Sequence, residues 1–285
     1  NLSLSKHPDD LLGFKSPPAH SDLLIHLSRL HYHTLTQPGS VEGGQVTCVS
    51  RVKFESTFLS VRSEQITLTG KLSKPNVEGP FPAVVLLHGC SGPHSREDIW
   101  AGRLKRWGYV ALQVDSFGPR GKSNICGKHY VVPPWMRAQD AYDAKSYLAK
   151  LSFVDGNRIA VMGWSHGGNS TLETAKRVIE EKPFSAAIAF YPYCGHYQLS
   201  YSNAPLLILV GEKDDWTPAS LCTSALPPEG TTTHELTLKV YPGAYHTFDM
   251  RVKPRVYLGH RLEYNRAAEA DAIVRVKEFL AKYLR

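Results

Sequence analysis

Residues Val161 to Ser170 read VMGWSHGGNS. Strand-forming apolar residues precede it, and a segment with a helical pattern follows it. Its centre is Ser165, with Gly163 and Gly167 two positions away on either side. Glycines at this spacing permit a sharp strand-to-helix turn, where only small residues fit. Glycine-rich turns after strands are common, so the function of this turn depends on the rest of the chain.

Apolar runs recur before and after this turn. They are FPAVVLLHG (81–89), GYVALQVD (108–115), RIAVMGW (158–164), FSAAIAFYP (184–192), APLLILVG (204–211) and LTLKVYPG (236–243). Such continuous runs are typical of parallel strands that are buried on both faces. Helical patterns lie between or after them, at roughly 96–107, 136–151, 166–182, 217–225 and 265–282. The alternation predicts a doubly wound, mostly parallel α/β sheet.

The N-terminal part of the chain has a different pattern. VTCVSRVKFES (46–56) and QITLTGKLSKP (65–75) alternate apolar and polar residues, which predicts an antiparallel edge to the sheet. Residues 1–45 carry loop-forming sequences and one amphipathic stretch, so we expect an arm over 1–45 and one α/β domain over 46–285. His31 and His33 in the arm lack a carboxylate or thiolate at ligand spacing, so no metal site is predicted.

Charge and hydropathy narrow the possible partners. The net charge is +7, but Lys and Arg are scattered among Asp and Glu, so no nucleic-acid partner is expected. The densest basic stretch, MRVKPRVYLGHR (250–261), is either a solvated loop or a wall that attracts anionic substrates. Apolar runs stay well short of the ~18 residues that a spanning helix needs, so no membrane insertion is expected.

The cysteines leave the compartment open. There are five, Cys48, Cys90, Cys126, Cys194 and Cys222, with no C-x-x-C pair that would indicate a zinc or redox motif. Two disulfides with one free thiol, or five thiols, are both compatible with this count. The sequence begins at Asn1 rather than at Met, as a processed or a trimmed chain does, and we favour a periplasmic or secreted protein.

Three side chains of complementary chemistry follow three of the predicted strands. Ser165 follows the strand at 158–164, Asp214 with its neighbour Asp215 follows the strand at 204–211, and His246 follows the strand at 236–243. The carboxyl ends of parallel strands meet at one edge of the sheet. The order Ser, Asp, His is that of α/β-hydrolase triads. We predict Ser165 as nucleophile, His246 as base and Asp214 as acid. Asp215 remains the alternative acid.

An oxyanion hole for such a triad needs two backbone N–H donors. His166, the residue after the predicted nucleophile, is expected to supply the first. Cys90, in the tight loop HGCSGP (88–93), is the candidate for the second. His88 is expected to anchor this loop rather than to act as a second base.

Five motifs together resemble the dienelactone hydrolase family of α/β-hydrolases: HGCSG, DSFGPRG, GWSHGG, GEKDDWTP and YPGAYHTFD. The resemblance spans about residues 46–285. Founding members carry cysteine at the sharp turn, whereas this chain has Ser165, which favours a general serine esterase over true dienelactone cleavage. The family uses no metal or organic cofactor, and the resemblance implies none here.

The long loop SFGPRGKSNICGKHYVVPPW (116–135) is typical of a lid or a substrate-binding loop. Arg120 and Arg137 are candidates to hold a substrate carboxylate, a role that arginines take in the resembling family. Their alternative is structural pairing with acidic neighbours such as Asp115 or Asp140.

Trp164, next to the nucleophile, either walls the acyl pocket or packs in the core. Cys90 and Cys126 both lie in loops at the predicted active-site edge, so a disulfide between them is one possible pairing. Cys194 with Cys222 is another, since sequence does not give connectivity.

The function predicted from these features is hydrolysis of small carboxylic esters or lactones through an acyl-enzyme, by a monomer or homodimer. A serine peptidase acting on short peptides is the first alternative, although it usually needs additional machinery for the substrate amine terminus. A non-catalytic binding protein on a hydrolase fold is the second, but such a protein would be expected to lack a triad residue.

Overall fold

A computed structural model describes residues 49–59, 65–177 and 182–285 of the chain. The predicted arm over 1–45, with His31 and His33, lies outside the described residues, as does Cys48. The division of the chain at residue 46 therefore stays a prediction.

The described residues form a central sheet of eight strands. In chain order they are β1 (Val49–Leu59), β2 (Gln65–Ser73), β3 (Phe81–Leu87), β4 (Val110–Asp115), β5 (Val154–Trp164), β6 (Ala186–Phe190), β7 (Leu206–Gly211) and β8 (Leu236–Tyr241). Their order across the sheet is β1-β2-β4-β3-β5-β6-β7-β8. Strand β2 is antiparallel to both β1 and β4, and strands β3 to β8 all run in the same direction. The prediction of a mostly parallel sheet with an antiparallel edge is confirmed.

Helices cover both faces of this sheet. They are α1 (Ser95–Arg106), α2 (Pro134–Ala149), α3 (His166–Lys176), α4 (Ala219–Ser224) and α5 (Arg266–Leu284). In β3, Ala83, Val85 and Leu87 pack in the core on the side of α2 and α3, whereas Val84 and Leu86 pack on the side of α1 and α5. Both faces of the strand are buried, which is why its sequence is a continuous apolar run.

None of the helices within the described residues is long and apolar enough to cross a membrane.

Helix α3 ends earlier than its predicted end at residue 182. Asn203, in the loop before β7, donates from its side-chain amide to the carbonyl oxygens of Thr174 and Arg177, and from its backbone N–H to that of Ala175. These bonds satisfy carbonyl groups at the end of the helix, and Lys176 is its last residue.

The structure contains a short hairpin over residues 255–262, mostly inside the basic stretch, that the sequence did not predict. Strands β9 (Arg255–Tyr257) and β10 (His260–Leu262) pair antiparallel through a two-residue turn. Both turn residues have positive φ, 51° at Leu258 and 86° at Gly259, as this tight hairpin geometry requires. A bridge between Leu262 and His246 brings the hairpin to the end of β8.

Candidate active site

Ser165 occupies the sharp turn between β5 and α3. Its φ of 53° and ψ of −116° lie in a region that non-glycine residues seldom adopt. A Cβ atom on Gly163 would collide with the carbonyl oxygen of Gly167, and one on Gly167 would collide with that of Leu87. The two glycines of the motif are therefore required by the close approach of three backbone segments.

The three residues predicted as a triad lie in one hydrogen-bonded line. His246 Nε2 is 3.1 Å from Ser165 Oγ, and His246 Nδ1 is 2.7 Å from Asp214 Oδ2. Asp214 follows β7 and His246 follows β8, and both side chains are almost wholly buried. With its proton on Nδ1, the imidazole donates to Asp214 and can accept the hydroxyl proton of Ser165 at Nε2.

The carboxylate of Asp214 accepts hydrogen bonds on both oxygens. Oδ1 accepts from the backbone N–H groups of Trp216 and Thr217, each at 2.9 Å, and Oδ2 accepts from the hydroxyl of Thr217 at 2.9 Å. Burial by itself raises the pKa of Asp214. The neighbouring His246 and these hydrogen bonds outweigh burial and leave the pKa below its usual value, so the carboxylate is ionised at neutral pH.

The alternative acid, Asp215, lies outside this line. Its side chain is 51% exposed, and it accepts the backbone N–H of Arg261 at 3.2 Å. This geometry favours Asp214, the residue preferred from the sequence, as the partner of His246.

Thr217 and Tyr191 complete the surroundings of His246, and sequence reasoning did not assign either to the site. The Thr217 hydroxyl lies 3.1 Å from the carbonyl oxygen of Tyr191 and 3.2 Å from His246 Nδ1. The ring centroids of Tyr191 and His246 are 4.6 Å apart. The loops after β6, β7 and β8 therefore meet at one hydroxyl group.

The two predicted oxyanion donors flank Ser165. His166 is the first residue of α3, and Cys90 lies in the loop after β3 that also contains Gly89. A Cβ atom built on Gly89 would be 3.9 Å from Ser165 Cβ, which shows how closely this loop approaches the serine. Among the described residues, neither the Cys90 N–H nor the His166 N–H donates to a protein acceptor.

Disulfides link both pairs of cysteines that the sequence left as possible pairings. Cys90 and Cys126 are bonded at 2.00 Å, and Cys194 and Cys222 at 1.98 Å. The first bond joins the loop after β3 to the long loop between β4 and α2.

A cavity of about 260 Å³ opens over Ser165 and His246. Its polar wall contains His94, Arg96 and Asn124, and its apolar wall consists of Trp216, Met250, Val252, Tyr257 and Leu262. No Asp or Glu is among the described residues that line it. Arg96 is only 5% exposed and donates to the Tyr191 hydroxyl at 2.5 Å. Nothing in the sequence around Arg96 distinguished it from a surface arginine of α1.

The structure corrects the assignment of Arg120 and Arg137 to substrate binding, because neither lines the cavity. Arg120 donates to both carboxylate oxygens of Asp140 at 2.7 and 2.8 Å, the structural pairing that was the alternative. Arg137 is fully buried and donates to the backbone carbonyl of His88 and to His166 Nδ1. Both guanidinium groups are engaged by protein acceptors and do not face the cavity.

Trp164 requires the same correction. It is fully buried, does not line the cavity, and donates from Nε1 to Asp249 Oδ2 at 3.0 Å. Its indole lies in the core beside Phe190, at a ring-centroid distance of 5.5 Å, so core packing was the correct alternative.

His88 lies beneath the loop after β3, as expected of an anchor. Its Nδ1 donates to the Gly89 carbonyl at 2.8 Å, and its Nε2 accepts the Ser116 N–H at 3.3 Å. Burial, followed by the charge of Arg137, lowers the pKa of His88 well below its usual range. The same two causes, in the same order, lower the pKa of His166, so both imidazoles are neutral at pH 7.

Within the described residues, no group of three or more His, Cys, Asp or Glu side chains is arranged to hold a metal ion.

Comparison with known proteins adds family information to this geometry. The family model described as "Dienelactone hydrolase family" matches residues 68–284. A Bradyrhizobium protein named "Probable 2-oxo-3-(5-oxofuran-2-ylidene)propanoate lactonase" is 24% identical over 196 residues, which cover 62% of this chain and 77% of that protein. A "Probable dipeptidyl-aminopeptidase B" of Fusarium vanettenii is 35% identical over 114 residues, which cover 36% of this chain but only 12% of the aminopeptidase. The chain therefore aligns with a small part of that relative.

Solved structures show the same fold. A dienelactone hydrolase from Anabaena variabilis superimposes with a TM-score of 0.58 at 19% identity, covering 82% of this chain and 99% of that chain. An acetyl xylan esterase from Paenibacillus sp. R4 superimposes with a TM-score of 0.60 at 15% identity, covering 87% and 89%. At these identities the likeness establishes the α/β-hydrolase fold and leaves the substrate open.

Proposed function

Because the chain belongs to the dienelactone hydrolase family, we propose that it is a serine hydrolase of small carboxylic esters or lactones that works through an acyl-enzyme. The observation that carries this proposal is the line of hydrogen bonds from Asp214 through His246 to Ser165, at 2.7 and 3.1 Å. Distances of this size allow direct proton transfer between the serine hydroxyl and the imidazole.

The proposed reaction has two stages. His246 Nε2 takes the hydroxyl proton as Ser165 Oγ attacks the ester carbonyl carbon, and the ionised Asp214 stabilises the imidazolium. The backbone N–H groups of Cys90 and His166 bind the oxyanion. Collapse of the tetrahedral intermediate breaks the bond to the alkoxide, which receives the proton from His246. A water molecule then attacks the acyl-enzyme with His246 as base, which releases the acid and restores Ser165.

Cavity size and composition support a small substrate. A volume of about 260 Å³ accommodates a compact acyl group rather than a long chain. The apolar wall suits its hydrocarbon part, and the Arg96 guanidinium suits a polar or anionic oxygen. The printed name of the Bradyrhizobium relative describes a lactone that bears a carboxylate, in agreement with this choice.

A peptidase is the second candidate, and it is favoured by the aminopeptidase matches. An aminopeptidase must bind a cationic substrate terminus, for which a carboxylate is the natural partner. The described cavity wall has no such group and carries Arg96 and Arg255 instead. This charge distribution favours ester cleavage. A non-catalytic binding protein is disfavoured because all three triad side chains are present and in contact.

The test is hydrolysis of p-nitrophenyl esters from acetate to octanoate, with dipeptide p-nitroanilides in parallel. We expect ester turnover that declines with chain length, and a loss of at least about 10³-fold in Ser165→Ala and His246→Ala. A fluorophosphonate should label the native chain and not Ser165→Ala. Turnover of anilides alone would support the peptidase. Full activity in both variants would refute the assigned nucleophile and base.

A further inference from the structure

The guanidinium of Arg137 lies wholly inside the protein, behind the two segments that flank Ser165. Its exposure is 0%, and its Cζ is 5.1 Å from the ring centroid of Phe117. Nη2 donates to the backbone carbonyl of His88 at 2.8 Å, and Nη1 donates to His166 Nδ1 at 2.8 Å. One planar side chain on α2 thus joins the loop after β3 to the N-terminus of α3.

A fold-stabilising role alone does not explain this arrangement. Neither direct acceptor is a carboxylate, and Nε has no hydrogen-bond partner among the described residues. The acidic neighbour Asp140 is bound on both oxygens by Arg120. Burial lowers the pKa of Arg137 to about 10, which still leaves the group charged at neutral pH. An incompletely paired buried charge is unfavourable for folding, so its presence here is not explained by fold stability.

The positions of the two acceptors, the His88 carbonyl and the His166 imidazole, indicate a function for the Arg137 guanidinium. His88 lies two residues before Cys90, and His166 itself supplies the other candidate oxyanion N–H. We propose that Arg137 is a positioning residue for the oxyanion hole, which holds these two backbone segments at the separation where both N–H groups reach one substrate oxygen. This inference rests on the proposed function. The rigid fork of a guanidinium can bridge two fixed acceptors in one plane, whereas a lysine ammonium on a flexible stem cannot reproduce that geometry.

The expected signature is a loss in kcat with little change in KM, because the oxyanion forms after the substrate has bound. We expect Arg137→Met to lower kcat about 10²-fold, as for the loss of one oxyanion donor. Arg137→Lys keeps the charge but loses the fork, so its kcat should also fall substantially. In Arg137→Ala, millimolar guanidinium chloride should restore part of kcat by filling the vacated space.

Arg120→Lys is the matched control. Arg120 is a second arginine of this region with little exposure, but it binds Asp140 and the Ser116 carbonyl and touches neither His88 nor His166. We expect this variant to lose stability while its kcat stays within about threefold of the native value. Equal losses of kcat in Arg137→Met and Arg120→Lys, without guanidinium rescue, would overturn the inference.

A readout that does not need turnover separates this inference from the proposed function. Amide hydrogen exchange at Gly92 and Asn169, whose N–H groups donate to the carbonyl oxygens of Gly89 and Ser165 in the two segments that flank the serine, should be faster in Arg137→Met than in the native chain, while exchange in β6 and β7 stays unchanged. If the native chain neither hydrolyses esters nor reacts with a fluorophosphonate, the proposed function fails, and the exchange data still report on the positioning. Unchanged exchange at both amides would refute the role of Arg137 even in an active enzyme.

Discussion

At the scale of single residues, the hydroxyl of Thr217 is the contact that links Asp214 and His246, the acid and the base of the proposed triad, to a third loop. It lies 2.9 Å from Asp214 Oδ2, 3.2 Å from His246 Nδ1 and 3.1 Å from the Tyr191 carbonyl oxygen. The hydroxyl proton is shared between the Asp214 carboxylate and the Tyr191 carbonyl oxygen. The Thr217 side chain therefore both stabilises the carboxylate and fixes its orientation.

We predict that Thr217→Val lowers kcat by about tenfold, because the buried carboxylate loses one charge-assisted hydrogen bond and its orientation relaxes. Thr217→Ser retains the hydroxyl and is the matched control, with kcat close to the native value. The measurement is kcat and KM for p-nitrophenyl acetate, together with kcat/KM as a function of pH. Native kinetics in the valine variant would show that the carboxylate is held sufficiently by its backbone donors.

A single functional residue could be predicted from the sequence only where it occupies a recognisable position in a pattern, such as the end of a strand. Ser165, Asp214 and His246 were predicted to lie together because strand ends place them at one edge of the sheet, and their side chains do lie within hydrogen-bond distance of one another. Arg96 and Thr217 were missed, since a single polar residue carries no periodicity that shows which way it points. The same limitation applies to Arg137, a substrate-binding candidate suggested by the family resemblance, because its sequence does not show that the side chain points behind the loop after β3 and not into the cavity.

At the scale of elements, the Cys90–Cys126 disulfide connects the loop after β3, which carries the proposed oxyanion donor Cys90, to the long loop between β4 and α2. The two segments are also joined by a hydrogen bond from the Ile125 N–H to the Cys90 carbonyl at 2.8 Å. Cys90, Ile125, Phe117 and Val132 form a small buried cluster around this junction. Cys126 is partly exposed at the cavity wall, whereas Cys194 and Cys222 are buried in the main core.

We predict that Cys126→Ser lowers kcat roughly tenfold, because the loop that carries one oxyanion donor loses a covalent restraint. A mild water-soluble reductant should inhibit the native chain to the same extent and leave the variant unaffected. Mass spectrometry after alkylation identifies the bond that opened, and Cys222→Ser is the control for a disulfide remote from the cavity. Full activity of a chain in which only Cys90–Cys126 is reduced would contradict this prediction.

Most elements were predictable because the central strands are buried on both faces, which produces apolar runs that few other structures require. The β9–β10 hairpin was missed because its strands have three residues each and lie in a basic segment. The end of α3 was missed because its last carbonyls are satisfied by Asn203, a residue 27 positions after Lys176 in the chain.

At the scale of the whole molecule, burial keeps several histidines neutral, and His88 and His166 are the most deeply buried of them. His88 and His166 are 1% and 4% exposed, and burial together with the nearby Arg137 places the pKa of each well below 6.5. In the unfolded chain these imidazoles take up protons as the pH falls through about 6.5, but in the folded chain they do not. The unfolded state therefore binds more protons in this window, so stability falls as the pH falls.

We predict that the free energy of unfolding decreases between pH 7.5 and pH 5.5, with a slope approaching about 1.4 kcal/mol per pH unit for each of the two histidines. The loss continues downward until the folded histidines themselves titrate. A second loss follows near pH 4 and below, as Asp214, whose pKa is lowered in the fold, becomes protonated. Urea unfolding at pH 7.5, 6.5 and 5.5 measures the first slope. We expect His166→Gln to reduce this slope, while His88 and also His94 and His129, whose pKa values are likewise lowered by burial, maintain the rest of it. A free energy of unfolding that stays constant over this range would show that both imidazoles accept protons in the folded chain, and that Arg137 does not enforce their neutrality.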